Sequence, residues 1–344
     1  MLTQKELKEI RGLLESSQNP LFFFDNDADG LCSFLLLQRG LGRGKGVAIK
    51  SFPNLNDTYL RKVNELNPDY VVILDKPRVD REFIEGVLEK NIPIVWIDHH
   101  DVQVDKELLE KIHYFNSYPS SEPVTYLAQN VFKRKKDLWL AMIGCIGDVY
   151  MPDFAKSFSK EYPELFDSNV DAFDSMYCTE IGRAVKILNF ALKDTTTNVL
   201  KSIRLLLNAD SIYDLFEENN QTRHIYQRYN QISKIYDTVL KKAERQVSDS
   251  KILVFTYGGA MSISSEISNE LFYKYPDKFI FVGKEKESKI SFSVRGKNVK
   301  KIVSKMLEKI PNSIGGGHEN ACGFQIRAEN LEQLKEELNS VLPL

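Results

Sequence analysis

Between residues 20 and 98 the chain alternates short, unbroken apolar runs with longer amphipathic stretches. Leu21–Phe24, Gly46–Ser51, Tyr70–Leu74 and Ile92–Ile97 have strand length, and helical periodicity fills about 30–41, 57–66 and 80–90. Runs that are apolar at every position predict parallel strands covered by helices on both faces. Residues 122–147 read as two further helices, the second (Leu138–Ile146) almost wholly apolar and therefore expected to be buried. From about 155 to 248 strand patterns vanish, and Thr179–Phe190, Thr197–Leu207 and Gln221–Val247 are helical. The last is long and mostly polar, as helices that bridge domains are. Strands return at Lys251–Thr256, Phe279–Val282 and Lys289–Val294, with helices at about 264–274, 298–309 and 330–341. The expected fold is α/β: an N-terminal parallel-sheet domain over 1–205, a helical connector over 206–249 and a smaller C-terminal α/β domain over 250–344.

Composition narrows the class without naming a function. Apolar residues at 42% and charged residues at 27% exclude disordered and collagen-like chains. No apolar run approaches the roughly 18 residues of a membrane span, so no membrane partner is expected. The opening MLTQKELKEIRGLLESS is a charged amphipathic helix rather than a signal peptide. Cys32, Cys145, Cys178 and Cys322 show no CxxC spacing, which argues against a zinc knuckle and for a reducing cytoplasm. The net charge of −2 leaves nucleic acid open as a partner, because carboxylates in a site can cancel a basic groove.

Candidate chemistry collects where the apolar runs end. Leu21–Phe24 leads into Asp25-Asn26-Asp27-Ala28-Asp29-Gly30, Tyr70–Leu74 into Asp75, Ile92–Ile97 into Asp98-His99-His100, and the apolar helix from Leu138 into Gly147-Asp148. Ligands of open α/β sheets sit beyond the strand carboxyl ends. Carboxylates converging there repel one another unless a cation compensates, and adjacent histidines suit manganese. Each piece has a plainer reading: the DxDxDG string as a capped turn, Asp75 or Asp148 as a helix cap. An EF-hand fails because its twelfth position is Leu36. Taken jointly the clusters favour a dinuclear site.

In order, Asp25–Gly30, Asp75, Asp98-His99-His100 and Asp148 resemble the four motifs of the DHH phosphoesterase family, and Gly315-Gly316-Gly317-His318 is similar to the GGGH signature of its associated C-terminal domain. The resemblance covers essentially the whole chain. It implies two divalent cations, manganese preferred and magnesium possible, with Asp25, Asp27, Asp29, Asp75, His99 and Asp148 as ligands. Asp27 and Asp29 would hold different cations, Asp75 would bridge both, and His99 would join Asp29 and Asp148 on the second. Asp75, Asp98 and His100 would be the catalytic set, with His100 facing the phosphate and Asp98 steadying a histidine. Phosphatase and pyrophosphatase members carry a histidine four residues before the first metal aspartate, where this chain has Phe23. Asp25 fills the gap two residues later, as in RecJ-like nucleases.

For substrate, the family pattern implies Arg295, Gly315, Gly316, Gly317, His318 and Asn320, in a cleft between the two domains; a flexible turn is the plainer reading of the glycines. Arg39, Arg43 and Lys45 form a basic Gly-rich turn that either tracks a nucleic-acid backbone or is simply solvated. Tyr126, Tyr226 and Tyr229 can stack on bases or belong to the core. The expected activity is that of a cytoplasmic exonuclease degrading single-stranded DNA or RNA to mononucleotides, in company with a helicase or a replication or repair protein. Its rivals are a nanoRNase or nucleotide-phosphate phosphatase on short substrates, and a non-catalytic replication or repair adaptor.

Overall fold

The computed structural model describes residues 1–49, 54–102, 105–317 and 319–341. They form two compact units, Met1–Tyr229 and Asn230–Leu344, and the division falls within the helix Arg223–Glu244. Strands of the first unit are β1 (Pro20–Asp25), β2 (Lys45–Ile49), β3 (Asn54–Leu55), β4 (Tyr70–Leu74), β5 (Arg78–Val79), β6 (Ile94–Asp98) and β7 (His113–Asn116). Five of them make a sheet in the order β2-β1-β4-β6-β7, every neighbouring pair parallel. Lys50 and Ser51, the end of the run expected after Gly46, lie outside the described residues.

Side chains alternate across this sheet and meet an apolar layer on each side. Phe22 and Phe24 of β1, Val72 and Leu74 of β4, and Val95 and Ile97 of β6 enter one cluster with the helices Ala28–Leu41, Val124–Phe132 and Leu138–Gly147. Leu21, Phe23, Val71, Ile73, Ile94 and Trp96 enter the other, against the helices Leu60–Leu66 and Arg81–Leu88. Burial on both faces is why these strands lack polar alternation. Strand β7 escapes the sequence pattern because it is a short edge strand, HYFN, with one buried side chain.

The second unit holds β8 (Ile252–Tyr257), β9 (Phe279–Lys286), β10 (Lys289–Arg295), β11 (Ile314–Gly317) and β12 (Ala321–Arg327) in the order β11-β12-β10-β9-β8. Only β8 and β9 pair in parallel; the remaining pairs are antiparallel. Alternate residues Ile290, Phe292 and Val294 of β10 and Cys322, Phe324 and Ile326 of β12 pack on the helices Val299–Lys309 and Leu331–Val341. The glycines of β11 make it an edge strand rather than a flexible turn: a Cβ at Gly315 would stand 2.4 Å from Cβ of Phe324.

Of the basic residues around the end of the helix Ala28–Leu41, Arg39 and Arg43 are tied into the fold, while Lys45 is exposed at the start of β2. Arg39 is ion-paired with buried Asp137 at 2.7 Å and donates to the carbonyls of Leu206 (2.8 Å) and Ala209 (2.7 Å), closing the end of the helix Thr196–Asn208. Arg43 donates to the carbonyls of Ser17 (2.6 Å) and Glu15 (2.8 Å). Tyr126 and Tyr226 are likewise core residues, 7% and 5% exposed, and Tyr229 packs against the same cluster. No helix among the described residues is long and apolar enough to cross a membrane. Asp137 also pairs with Arg134 at 2.5 Å, so removing Arg39 would leave that carboxylate one cation but would strip the carbonyls of Leu206, Leu207 and Ala209 of their donor. A buried acceptor left unpaired costs about 1–3 kcal/mol, so Arg39→Ala is expected to lower the urea unfolding free energy by about 2–4 kcal/mol; a loss below about 1 kcal/mol, the range of an exposed pair, contradicts the structural role.

Candidate metal centre

Strands β1, β4 and β6 are neighbours, so the residues that follow their last apolar positions meet at one edge of the sheet. Phe24 pairs with Leu74 and Leu74 with Ile97, which sets Asp25, Asp75 and Asp98 side by side. Asp75 adopts a left-handed backbone, φ 56°, while its N–H donates to the Ile97 carbonyl at 3.0 Å. Such a conformation is uncommon outside glycine.

The helix Ala28–Leu41 starts directly off β1. Asp27 caps it, accepting from the Gly30 N–H at 3.0 Å. Asp29, in the first turn and 2% exposed, accepts from the N–H groups of Val124 (2.9 Å) and Thr125 (2.7 Å). The turn is so tight that a Cβ at Gly30 would stand 2.4 Å from the Asp25 carbonyl oxygen, which explains the glycine of the DxDxDG string. Asp148 follows the helix Leu138–Gly147, and a Cβ at Gly147 would lie 2.8 Å from that of Ala28, so Asp148 arrives beside the same helix start. Val149 then takes φ 55°, a strained conformation for a β-branched residue and one typical of functional sites.

These elements bring the expected ligands together. His99 Nε2 lies 3.3 Å from Asp75 Oδ1, 3.6 Å from Asp148 Oδ2 and 4.0 Å from Asp29 Oδ2. Asp25, Asp27 and Asp75 form one trio of donor atoms within 4.8 Å of one another, and Asp29, His99 and Asp148 form a second. A third trio is Asp75, His99 and His100. His100, however, has Nδ1 at 2.8 Å from Asp98 Oδ1. Burial opposes a charge on His100, yet the Asp98 carboxylate outweighs it and raises the imidazole to about 9. Burial would raise Asp98 too, but the His100 ring holds it below the ordinary carboxylate range. Asp98 thus steadies His100 rather than His99.

Three carboxyls of the trios, Asp27, Asp29 and Asp75, are crowded by one another and by burial. Burial and the charges of Asp25 and Asp29 push Asp27 up to about 7, and burial with Asp148 pushes Asp29 up to about 6. Asp75 rises well above its usual range through burial and then the charges of Asp29, Asp27 and Asp25. Oxygen and imidazole donors in this arrangement fit manganese or magnesium. The buried thiols of Cys32 and Cys145 are pushed up by burial and nearby carboxylates and are inert.

One member is not legible in the sequence. Lys76, 2% exposed, donates to Asp25 Oδ1 at 2.6 Å. The signal available is weak: a lysine directly after the aspartate that ends a buried strand.

In the second unit Arg295 ends β10, where its guanidinium donates to Asn269 Oδ1, to Ser265 Oγ (3.1 Å) and to the Val294 carbonyl (2.8 Å). Asn320 accepts from the Asn298 N–H at 2.9 Å and, through its carbonyl, from the Gly296 N–H at 3.1 Å. Gly316 and Gly317 are exposed on β11. Asn320 is thus tied to the turn that follows Arg295; His318 lies outside the described residues.

Residues 21–146 match the DHH family, N-terminal domain, and residues 249–343 match the DHHA1 domain. No curated protein matches the chain in sequence. Among solved structures, RecJ from Thermus thermophilus in complex with Mn2+ aligns with a TM-score of 0.69 at 15% identity, over 99% of this chain and 55% of that one. The same protein with Mg2+ gives 0.58. An exonuclease RecJ bound to manganese gives 0.65 at 16% identity, over 99% and 95%. A DHH domain from a member of a family of ribosomal proteins gives 0.71 at 17% identity, over 99% and 90%. This chain therefore spans about half the length of the Thermus protein and nearly all of the other two. At such identities the likeness is one of fold.

Asp27 and Asp29 bind protons more tightly folded than unfolded, so their contribution to stability is whole below the ordinary 3.8 and is lost as pH rises through about 7 for Asp27 and about 6 for Asp29. His100 works over a higher window, its contribution whole below the ordinary 6.5 and lost as pH rises through about 9. Chelated protein should accordingly lose thermal stability between roughly pH 4 and 7, and saturating manganese should abolish the loss. The measurement is the Tm difference between manganese-loaded and chelated protein across that window. A difference that does not widen with pH refutes the repulsion.

Proposed function

From the premise that the chain belongs to the DHH phosphoesterase family and carries its DHHA1 domain, we propose that it is a metal-dependent exonuclease that degrades single-stranded DNA or RNA to mononucleotides. The observation that carries this reading is the pair of donor trios, Asp25-Asp27-Asp75 and Asp29-His99-Asp148, standing next to each other. Each would hold one divalent cation, and Asp75, 3.3 Å from the histidine of the other trio, would serve both. When bound, two such cations activate water and stabilise both the attacking and leaving oxygens of a phosphoryl displacement.

Strand β1 bears on the branch within the family. Phe23 and Asp25 lie two residues apart and so share a face of the strand. Phe23 is fully buried, 5.3 Å from the ring of Phe83, and contributes no ligand. Asp25, on the same face and one step further out, takes the place at which phosphatase members present a histidine. This supports the nuclease reading over the short-substrate phosphatase. The manganese-bound exonuclease RecJ among the similar folds supports it as well.

The other residues take roles that follow from their contacts. His100, kept protonated by Asp98, would donate through its second ring nitrogen to a phosphate oxygen and neutralise charge that builds there. Asp98 would act through His100. Arg295 would pair with a backbone phosphate of the strand, and Gly315–Gly317, with His318 and Asn320, would approach another. A helicase or other replication or repair protein would deliver the strand.

End-labelled single strands of several lengths, incubated with manganese and with chelator, test the activity. Mononucleotides should appear with manganese only, and Asp75→Ala should reduce turnover to background. On a single strand each neutralised phosphate contributes about −0.7 to the log–log salt slope. A grip on three or four phosphates should give a slope of roughly −2 to −3, with Arg295→Ala raising KM and flattening it while metal stays bound. Cleavage restricted to the shortest strands, with little salt dependence, selects the nanoRNase alternative instead.

A further inference from the structure

Lys76 is a buried cation inside a site that the proposed reading fills with metal. Its ammonium reaches Asp25 Oδ1 at 2.6 Å, and its side chain is only 2% exposed. A lysine this deep persists only when paired. Two features hold it there. The left-handed backbone of Asp75 turns the chain sharply at the end of β4, and the Trp96 indole N–H donates to the Lys76 carbonyl at 3.1 Å. So placed, the ammonium is shielded from a substrate, and among the described residues its partner is Asp25.

Two consequences follow from the contacts. Asp25 Oδ1 receives both the ammonium and the Asn26 N–H, the latter at 2.9 Å, which leaves Oδ2 for a cation shared with Asp27 and Asp75. The charge also closes. Asp25, Asp27, Asp29, Asp75 and Asp148 bring five negative charges to the two trios, and Lys76 returns one. The remaining four equal the charge of two divalent cations. His99 adds none as a neutral ligand, and the His100–Asp98 pair cancels internally.

We propose that Lys76 is a positioning residue of the metal centre, which orients Asp25 through one carboxylate oxygen and trims the charge of the ligand set to match two divalent cations. The pair it forms with Asp25 is net neutral and thus gives an aspartate the charge of a histidine ligand. This inference rests on the two-cation reading above.

Manganese titration calorimetry of the metal-free protein separates the two jobs of Lys76. Lys76→Gln keeps a hydrogen-bond donor without charge, Lys76→Met keeps neither, and Lys76→Arg keeps the charge. The expected result is manganese affinity raised on the order of tenfold in the Gln variant, which loses a nearby positive charge but keeps a donor to Asp25, and raised less in the Met variant, which loses both. The Arg variant should bind as the wild type does. At saturating manganese, Lys76→Met should lose kcat with KM unchanged, because Asp25 is no longer held. A merely structural role predicts weaker binding in both neutral variants, and that result, or unchanged binding in both, overturns the proposal. If the Met variant does not fold, the Gln variant decides by itself. Tighter manganese binding without hydrolysis of any strand by the wild type would fail the exonuclease reading and leave Lys76 as assigned. Two cations per wild-type chain support the charge match, and one overturns it.

Discussion

Mutual repulsion among buried carboxylates is the constraint around which the first unit is arranged. Asp27, Asp29 and Asp75 are packed where burial and neighbouring negative charge both disfavour ionisation. Nothing in their hydrogen bonding removes the problem, although the Val124 and Thr125 amides relieve part of it at Asp29. A cluster of this kind is stable in ionised form only with cations in place. The site is thus specified as much by what it lacks in metal-free form as by what it contains.

Such crowding is achieved with backbone rather than long side chains. Three adjacent parallel strands end at the same level, and a helix begins within a few residues of the end of the first of them. Gly30 permits that start and Gly147 permits the approach of the second helix end. Asp75 and Val149 are held in left-handed conformations that their own side chains disfavour. Aspartates have short stems with few rotamers, so groups mounted this way keep their relative positions even while they repel. Both opposing apolar layers of the sheet supply the rigidity that this demands.

Much of this is legible in the sequence for a plain reason. Runs such as Leu21–Phe24 and Tyr70–Leu74 are apolar throughout, so the first polar residue after each one marks the edge of a parallel sheet. The positions of Asp25, Asp75 and Asp98 follow from that alone. Periodicity does not report what a basic residue pairs with. Arg39 and Lys76 look like surface cations in the sequence, yet each is buried and tied to a carboxylate, Asp137 and Asp25 respectively. Strand β11 leaves no pattern because a glycine run carries no hydrophobic signal, while the alternation of β12, Cys322, Phe324 and Ile326, is short and its outward positions include the small residues Ala321 and Gly323, which blur it. The link from Asp98 to His100 rather than His99 depends on side-chain direction at a strand end, which spacing does not encode.

The packing of Phe23 bears on how such proteins diverge. Its ring sits edge-on to Phe83 at 5.3 Å and to Tyr59 at 6.0 Å, within the apolar layer under β1. An imidazole introduced there would be buried among aromatic rings, with its polar nitrogens unanswered. Asp25, two residues on, would still be tied to Lys76. Exchanging Phe23 alone for histidine would thus bury an unpaired imidazole and leave the Lys76–Asp25 pair in place, so positions 23, 25 and 76 are coupled through the end of one strand.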